Sequence, residues 1–402
     1  MEIRPIEIEE FATFQRTFMR AMGFGPPTDA YIERWQPETK TERSLAAFDR
    51  DQMVATAYSY LFELTLPGGA QIDAAGVTAV GVLSTHRRRG IITQIMRRQL
   101  AEARNRGEPL AILVASEAVI YGRFGYGASS YLFDFEIDTH YGAFREPFNP
   151  LGVFFVDEPT ADKVFPDVHE RFRRNQPGAI PRSEFYWRNV WADRKPGDDA
   201  HVIHEDNSGT VDGYLRYHIR SQWDAGVANS VIDVRDMITL SEEAGKALWR
   251  HLLDVDLVRT VKFFARPVDD PARWWLANPR ALKVTRHGDL YWTRLLDIPR
   301  ALDARSYRAD GELVLEVTDP QFEDNNARFV LTIWGGRGRC ERTDKPADLA
   351  LGVSALGSLY LGGVAASDLA RAGAVRELRE GALEKADAAF SSAPKPWSAT
   401  WF

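Results

Sequence analysis

GVTAVGVLSTHRRRGIITQIMRR, residues 76–98, is the stretch around which the chain is read. Val77, Val80 and Val82, with Ala79 less strongly, mark a buried strand. Ser84, Thr85 and His86 make a turn. Arg87, Arg88, Arg89 and Gly90 then lead directly into a helix whose apolar side carries Ile91, Ile92, Ile95 and Met96. A helix start has unpaired backbone N–H groups and a partial positive charge directed out of its end. Gly90 lets a backbone approach a bulky anion, and guanidinium groups add charge-assisted hydrogen bonds to phosphate oxygens. The pattern points to a pyrophosphate-bearing ligand at residues 87–90. The same spacing also fits a basic surface turn before an ordinary helix. No GxxxxGK[ST] is present, and the turn is not a GxGxxG dinucleotide turn.

Working outward, 402 residues predict two or three domains with a core that needs no staples. A net charge of −7 argues against a general nucleic-acid binder and makes the basic run at 87–89 stand out. Cys340 is the single cysteine, so no disulfide framework and no cysteine-rich metal site is expected; this suits a reducing cytoplasm. The start, MEIRPIEIEE, is acidic and lacks an apolar core, so no secretion signal is read there, which leaves export by another route open. No apolar run is long enough for a membrane span.

Residues 8, 11, 14, 18 and 22 recur at helical spacing up to Gly23. Thr28 or Asp29 caps a short helix with Tyr31, Ile32 and Trp35. Strands follow at 44–48, 53–66 and 71–83, then the helix after Gly90, a strand at 110–114, a short helix to Tyr121, the GRFGYG turn and a strand at 130–137. The order is that of an α/β layer around a mainly antiparallel sheet. From Pro147–Pro150 onward the style repeats, with helices at 161–175, 183–191 and 241–253, although Thr239-Leu240-Ser241-Glu242 replaces the basic glycine turn. The second copy is therefore expected not to bind the same anion. Past Leu290 come strands at 312–317 and 327–334, a Gly335–Gly336 turn, and helices at 354–360, 367–371 and 374–388. The tail holds Trp397, Trp401 and a terminal Phe402. An aromatic terminus is unusual in a solvated tail, so it is read as docking into an apolar site.

Valine-rich strand, HRRRG and helix together resemble the acyl-CoA motif of the Gcn5-related N-acetyltransferases (GNAT), here Arg87-x-x-Gly90-x-Ile92, with isoleucine at the last position. THRRRGI, SEAVIYGRFGYG at 116–127, GSLYLGG at 357–363 and the terminal phenylalanine resemble the enhanced-intracellular-survival family within that group. The resemblance spans the chain and is strongest at 77–127 and 351–363. It implies an α/β (α+β) protein in three parts: a catalytic GNAT fold at 1–145, a GNAT-like fold without a cofactor site at 146–289, and a sterol-carrier-protein-like domain at 290–402. It implies acetyl-CoA as co-substrate without a metal, a homohexamer, and a C-terminus that reaches back into the active site.

The chemistry the resemblance implies has three tasks. An amine with pKa about 10.4 must lose a proton. The family gives this to the terminal carboxylate, here of Phe402. A free α-carboxyl with pKa about 3.5 is a weak base, so a water-relayed, electrostatic role fits it better. The oxyanion needs donors, and strand-edge N–H groups near Val80 and Val82 can supply them where the pantetheine arm adds as a strand. The leaving thiolate needs a hydrogen bond, which the family places on a tyrosine that matches Tyr121 rather than Tyr126. By the residues alone, Tyr121 reads rather as packing among Phe124, Tyr126 and Tyr131. Cofactor contacts carry over to Val80, Val82, Arg87, Arg88, Gly90, Ile91 and Ser116, the last also reading as a helix cap. Val114 stands where family members commonly have histidine. Acceptor contacts carry over to Phe24, Asp29, Glu33, Trp35, Glu117 and Trp401. Aromatic walls with carboxylates suit a polycationic amine.

The expected activity is N-acetylation of primary amines on a small multi-amine acceptor of the aminoglycoside kind through a ternary complex, with protein lysine acetylation second. The non-enzymatic alternative is an acyl-CoA-sensing, lipid-binding protein. His201-x-x-His204 reads as a solvated pair rather than a metal site, because i and i+3 on a strand face opposite sides. Arg171, Arg173 and Arg174 read as a solvated helix face.

Overall fold

A computed structural model describes residues 1–189 and 199–402. Two compact units are not consecutive in sequence. One comprises Met1–Ser130, Leu290–Ala393 and Trp401–Phe402; the other comprises Tyr131–Asp289 and Pro394–Thr400.

In the first unit a seven-stranded sheet runs in the order Glu2–Arg4, Ser44–Asp49, Gln52–Thr65, Gln71–Val82, Leu110–Val114, Tyr291–Leu295, Gly127–Ala128. Helix Phe11–Met22 buries Phe11, Phe14, Thr17 and Ala21 and ends at Gly23, whose φ of 77° suits a glycine cap. It packs so closely that a Cβ on Gly81 would lie 2.9 Å from that of Ala21. Helix Asp29–Trp35 is capped by Thr28, which accepts from the Tyr31 N–H at 3.1 Å. Helix Ile91–Asn105 buries Ile91, Ile95, Met96, Gln99, Leu100 and Ala103.

One strand is not where the sequence order put it. Tyr131–Asp138, read as closing the first fold, belongs to the other sheet, between Lys283–Asp289 and Val258–Pro267. In the first sheet Tyr291–Leu295 lies antiparallel to Leu110–Val114, from Tyr291 opposite Val114 to Leu295 opposite Leu110. The second unit begins at Tyr131, before the expected boundary at 145, and its main segment ends at Asp289, where the other boundary was expected. Arg294, fully buried on the inserted strand, is bound to Asp319 at 2.7 Å and donates to the Phe124 carbonyl at 2.9 Å. Breaking such a pair leaves an uncompensated buried charge, which ties the inserted strand to the aromatic turn.

The rest of this unit is a five-stranded sheet in the order Arg337–Arg342, Ala327–Trp334, Gly311–Thr318, Leu349–Gly352, Val375–Glu377. Gly335 and Gly336, both at positive φ, make the hairpin turn. Helix Val353–Tyr360 lies directly on the first sheet. A Cβ on Gly127 would sit 2.0 Å from the Ser354 carbonyl oxygen, and one on Gly357 would sit 2.2 Å from that of Thr293. The glycines of both motifs are therefore points of close approach. The helix expected at 374–388 is instead strand Val375–Glu377 and helix Ala382–Phe390, because Gly381 breaks the run at φ 82°.

The second unit has a seven-stranded sheet with Val153–Val156 at one edge and Lys283–Asp289 at the other. Helix Glu242–Leu253 starts at Ser241, whose hydroxyl accepts from the Ala244 N–H at 3.0 Å and donates to Asp212 at 2.5 Å. A side chain thus occupies the helix start that corresponds to Gly90. His201 and His204 are both buried, contrary to a solvated pair; His204 Nδ1 lies 2.5 Å from an Asp212 carboxylate oxygen. Arg173 is likewise buried, 2.5 Å from Glu170, so only its neighbours form a solvated face. Trp191, read as ending a helix, lies outside the described residues. Among the described residues no helix is long and apolar enough to cross a membrane, and no cluster of His, Cys, Asp or Glu is arranged to hold a metal ion.

Candidate active site

Strands Gln71–Val82 and Leu110–Val114 run parallel but pair over only three positions, from Ala74 opposite Leu110 to Gly76 opposite Ile112. Beyond Gly76 the first strand continues with no strand partner on that side. Its register against Gln52–Thr65 shifts between Thr56 and Tyr58, and Ala79 sits at φ 50°, with its carbonyl accepting from the Thr56 hydroxyl at 2.8 Å. A bulge of this kind bends the strand and re-aims its edge. The result is a free edge that an extended chain can join by backbone hydrogen bonds. Val80 and Val82 point their side chains into the core, so backbone groups are what they offer a ligand.

At the far end of that edge Gly90 is the N-cap of helix Ile91–Asn105, at φ 76° and ψ 6°, and no side chain caps the helix. A Cβ there would meet nothing within 4 Å, so only the backbone conformation and whatever approaches from outside require glycine. Ile91 is buried and can contribute only its N–H. The three arginines divide their work. Arg87 donates to the carbonyls of Ala21 at 3.1 Å and Val82 at 3.4 Å, latching the first helix to the turn. Arg89 donates to the Thr85 carbonyl and lies 3.8 Å from Asp49. Arg88, exposed and at φ 63°, has no side-chain partner among the described residues.

Tyr121 closes helix Ala118–Tyr121 and is 4% exposed. Burial raises its phenol pKa, a hydrogen bond with Ser116 works the other way, and Glu117 raises it further. Glu117, not Ser116, is the N-cap of this helix, and no side chain caps it. Tyr126 stands edge-on at 6.2 Å between ring centroids, and its buried hydroxyl has no hydrogen-bond partner. Of the two, only Tyr121 has its hydroxyl in a polar setting.

The terminus completes the arrangement. The ring of Phe402 lies 4.8 Å from that of Phe62 and 5.6 Å from that of Tyr291, centroid to centroid. Both Phe62 and Phe402 lie over Gly76, where a Cβ would be 2.3 Å from Phe62 and 3.1 Å from Phe402. Phe62 continues a row along one strand face: Tyr60 at 5.5 Å from Phe62, and Tyr58 at 5.0 Å from Tyr60. Burial pushes the Tyr60 phenol well above its usual range, with Tyr58 and Tyr31 adding to the rise. Tyr31 in turn stacks on Trp35 at 5.8 Å. Sequence reasoning singled out none of Tyr58, Tyr60, Phe62 and Tyr291. The signal was available, because Tyr58, Tyr60 and Phe62 alternate and so share a face of their strand.

The residues carried over for the acceptor are only partly brought together. Trp35 packs against the cluster that includes Tyr58 and Tyr60. Glu117 is exposed beside Tyr121. Phe24 is 58% exposed, and Asp29 points to solvent 3.8 Å from Arg16. Glu33 borders a surface cleft of about 640 Å³ with Gln36 and Lys40, and a second cleft of about 660 Å³ is lined by Arg16, Arg20 and Arg50; neither is lined by Tyr121 or Phe402. Trp401 is half-buried.

Residues 2–129 and 178–295 each match the acetyltransferase (GNAT) domain family, and residues 298–399 match the sterol carrier protein domain family. N-acetyltransferase Eis of Mycobacterium tuberculosis is 34% identical over 85% of this chain and 84% of its own length. The chain belongs to the Eis family of N-acetyltransferases. An uncharacterized N-acetyltransferase of Streptomyces coelicolor is 38% identical over 99% of this chain and 98% of that protein. The crystal structure of Eis1 from Mycobacterium abscessus matches with a TM-score of 0.90 at 35% identity, covering both chains in full. The protein is an acetyltransferase with two GNAT domains followed by a sterol-carrier-like domain, and the GNAT fold uses acetyl-CoA as co-substrate. The free strand edge, the uncapped helix start at Gly90 and the unpartnered Arg88 fit that molecule's pantetheine arm and pyrophosphate.

Proposed function

We propose that the protein acetylates primary amines of a small multi-amine acceptor of the aminoglycoside kind, at more than one position, with acetyl-CoA and acceptor bound together. The observation that carries this reading is the ring of Phe402, the C-terminal residue, which stands at the end of the row Tyr58, Tyr60 and Phe62. Aromatic faces attract cations, and a terminal carboxylate carried by the residue at the end of that row orients an ammonium group. Arg88, the N–H groups at the start of the helix after Gly90 and the strand edge past Gly76 hold acetyl-CoA, with Ser116 alongside. When bound, it supplies an activated thioester. Phe402 draws the proton from the amine through water, since a free α-carboxyl has pKa about 3.5 and removes it poorly by direct transfer. Tyr121 gives the departing sulfur a hydrogen bond that strengthens as charge develops. Glu117 and Trp35 belong to the acceptor side of the same proposal, as do Trp401, Phe24, Asp29 and Glu33.

A homohexamer in the cytoplasm is part of the reading. Exposed Leu151, Phe154, Phe155 and Trp274 support self-association, and light scattering of the purified protein tests it. The test of the activity is thiol release from acetyl-CoA across a panel of aminoglycosides, diamines, monoamines and lysine peptides, run on the full chain and on a chain lacking Phe402. Release that follows the number of amines and falls at least tenfold without Phe402 supports the reading. Tight acetyl-CoA binding with no amine-dependent release overturns it.

A further inference from the structure

The second unit contains a buried polar network that the chemistry above does not use. Arg182, whose side chain is 2% exposed, bonds Asp236 at 2.5 Å. Asp236 also accepts from the Tyr214 hydroxyl at 3.0 Å. The guanidinium lies 4.9 Å from the ring of Trp187 and 5.2 Å from that of Tyr186. With one acid and two rings its charge is already compensated. It also donates to the Tyr214 hydroxyl at 3.2 Å, and two further bonds go to the C-terminal tail. Nε donates to the Thr400 hydroxyl at 3.0 Å, and Nη2 donates to the Ala399 carbonyl at 2.7 Å.

The tail is fastened elsewhere too. Gln176 donates to the Lys395 carbonyl at 2.8 Å, and the Lys395 N–H donates to Asp269 at 2.8 Å. The Trp397 N–H donates to the Pro177 carbonyl and its indole N–H to the Ala265 carbonyl, each at 2.8 Å. Ala265 sits at φ 53°, where the strand register shifts, so a bulge aims that carbonyl. Arg182 is the last of these anchors along the chain. Only Trp401 and Phe402 follow it, and two residues span at most about 7 Å.

We propose that Arg182 is a positioning residue for acetyl transfer: by fixing the backbone at Ala399 and the side chain of Thr400, it sets where the carboxylate of Phe402 can lie. The proposal rests on the reading of Phe402 as the proton-accepting group.

Two variants test it. Thr400→Val removes the hydroxyl that accepts from Arg182 and lies 3.5 Å from His169 Nε2, and leaves the Arg182–Asp236 pair in place. Arg182→Lys keeps the charge and loses the fork that reaches two tail atoms. The first readout is release of Phe402 by carboxypeptidase, followed by mass spectrometry. The second is kcat and the acetyl-CoA KM, each measured with and without Phe402. The expected result is release at least tenfold faster for Arg182→Lys and about threefold faster for Thr400→Val. In parallel kcat should fall by similar factors, with the acetyl-CoA KM within twofold. In the chain lacking Phe402 the same substitutions should change kcat by less than twofold, because no carboxylate is left to position. Wild-type protection and kcat in both variants overturn the proposal, as does an equal loss of kcat with and without Phe402. If removal of Phe402 itself leaves kcat unchanged, the reading of the carboxylate falls and the proposal falls with it. If Arg182→Lys does not fold, Thr400→Val decides alone by the same outcomes.

Discussion

Gly76→Ala adds one methyl group where two aromatic rings already lie. The new Cβ would be 2.3 and 2.4 Å from two ring carbons of Phe62 and 3.1 Å from one of Phe402. Carbon atoms rest comfortably at about 3.5–4.0 Å, so Phe62 must withdraw by roughly 1.2 Å and Phe402 by roughly 0.4 Å. Phe62 is held between Tyr60 and Phe402, at 5.5 and 4.8 Å between centroids, so its retreat disturbs the terminus whichever way it moves. Overpacking of this kind costs about 1–3 kcal/mol, and a displacement near 1 Å at a reacting group costs on the order of 100-fold in rate. Since the terminus can relax, kcat should fall about tenfold, and by no more than deletion of Phe402. The acetyl-CoA affinity should stay within about twofold, because Arg88 and the Gly90 helix start lie at the other end of the strand edge. The assay is steady-state thiol release at saturating acetyl-CoA, with calorimetric acetyl-CoA binding and a thermal melt beside it. A folded Gly76→Ala protein with wild-type kcat refutes the reasoning. So does a matching loss of acetyl-CoA affinity, which would place the effect on the cofactor strand instead of the terminus.

Tyr121→Phe should lower kcat at least tenfold while acetyl-CoA affinity holds within about twofold; unchanged turnover removes the phenol from the mechanism. Gly90→Ala should raise the acetyl-CoA Kd about tenfold in calorimetry and lower the melting temperature by a few degrees. A left-handed backbone costs a non-glycine residue roughly 1–2 kcal/mol, and the methyl would stand where the phosphates must approach; wild-type affinity would refute it. His169 is held down to about 2 by burial, with Arg182 and Arg173 adding to the effect. Its unfolded-state pKa is about 6.5, so above that pH both states are neutral and the stability is fully present. As the pH falls below 6.5 the unfolded chain takes up a proton that the folded chain refuses, and about 2 kcal/mol is lost between pH 7 and 5. Denaturation midpoints of His169→Gln across that range should fall less steeply than those of the natural chain; equal slopes would acquit His169.

The readable parts of the fold were those set by local rules. The strand, basic turn and helix of residues 76–98 follow from apolar spacing and a glycine at a left-handed helix cap. The Gly335–Gly336 hairpin and the Ser241 cap follow in the same way. Burial was harder to read than element type. His201, His204 and Arg173 look like surface residues in sequence, yet each is enclosed with an acid or an aromatic ring that only the fold supplies. The third helix of the C-terminal part failed for a different reason, because a single Gly381 outweighed a helical composition.

By itself the sequence determined the family and the kind of co-substrate, since the motifs that carry them are short and their chemistry is local. Tertiary structure alone decided the rest. Strand periodicity fixes which face is buried but not which strand lies alongside, so nothing local could tell that Tyr291–Leu295 enters the first sheet while Tyr131–Asp138 leaves for the second. Three arginines in a row are equivalent in sequence, and only the fold shows that Arg87 and Arg89 donate to the carbonyls of Ala21 and Thr85. The row Tyr58, Tyr60 and Phe62 acquires its meaning when Phe402, more than 300 positions away, comes to rest against it over Gly76. Pairing between distant segments is chosen by shape and buried charge, and a linear pattern carries neither.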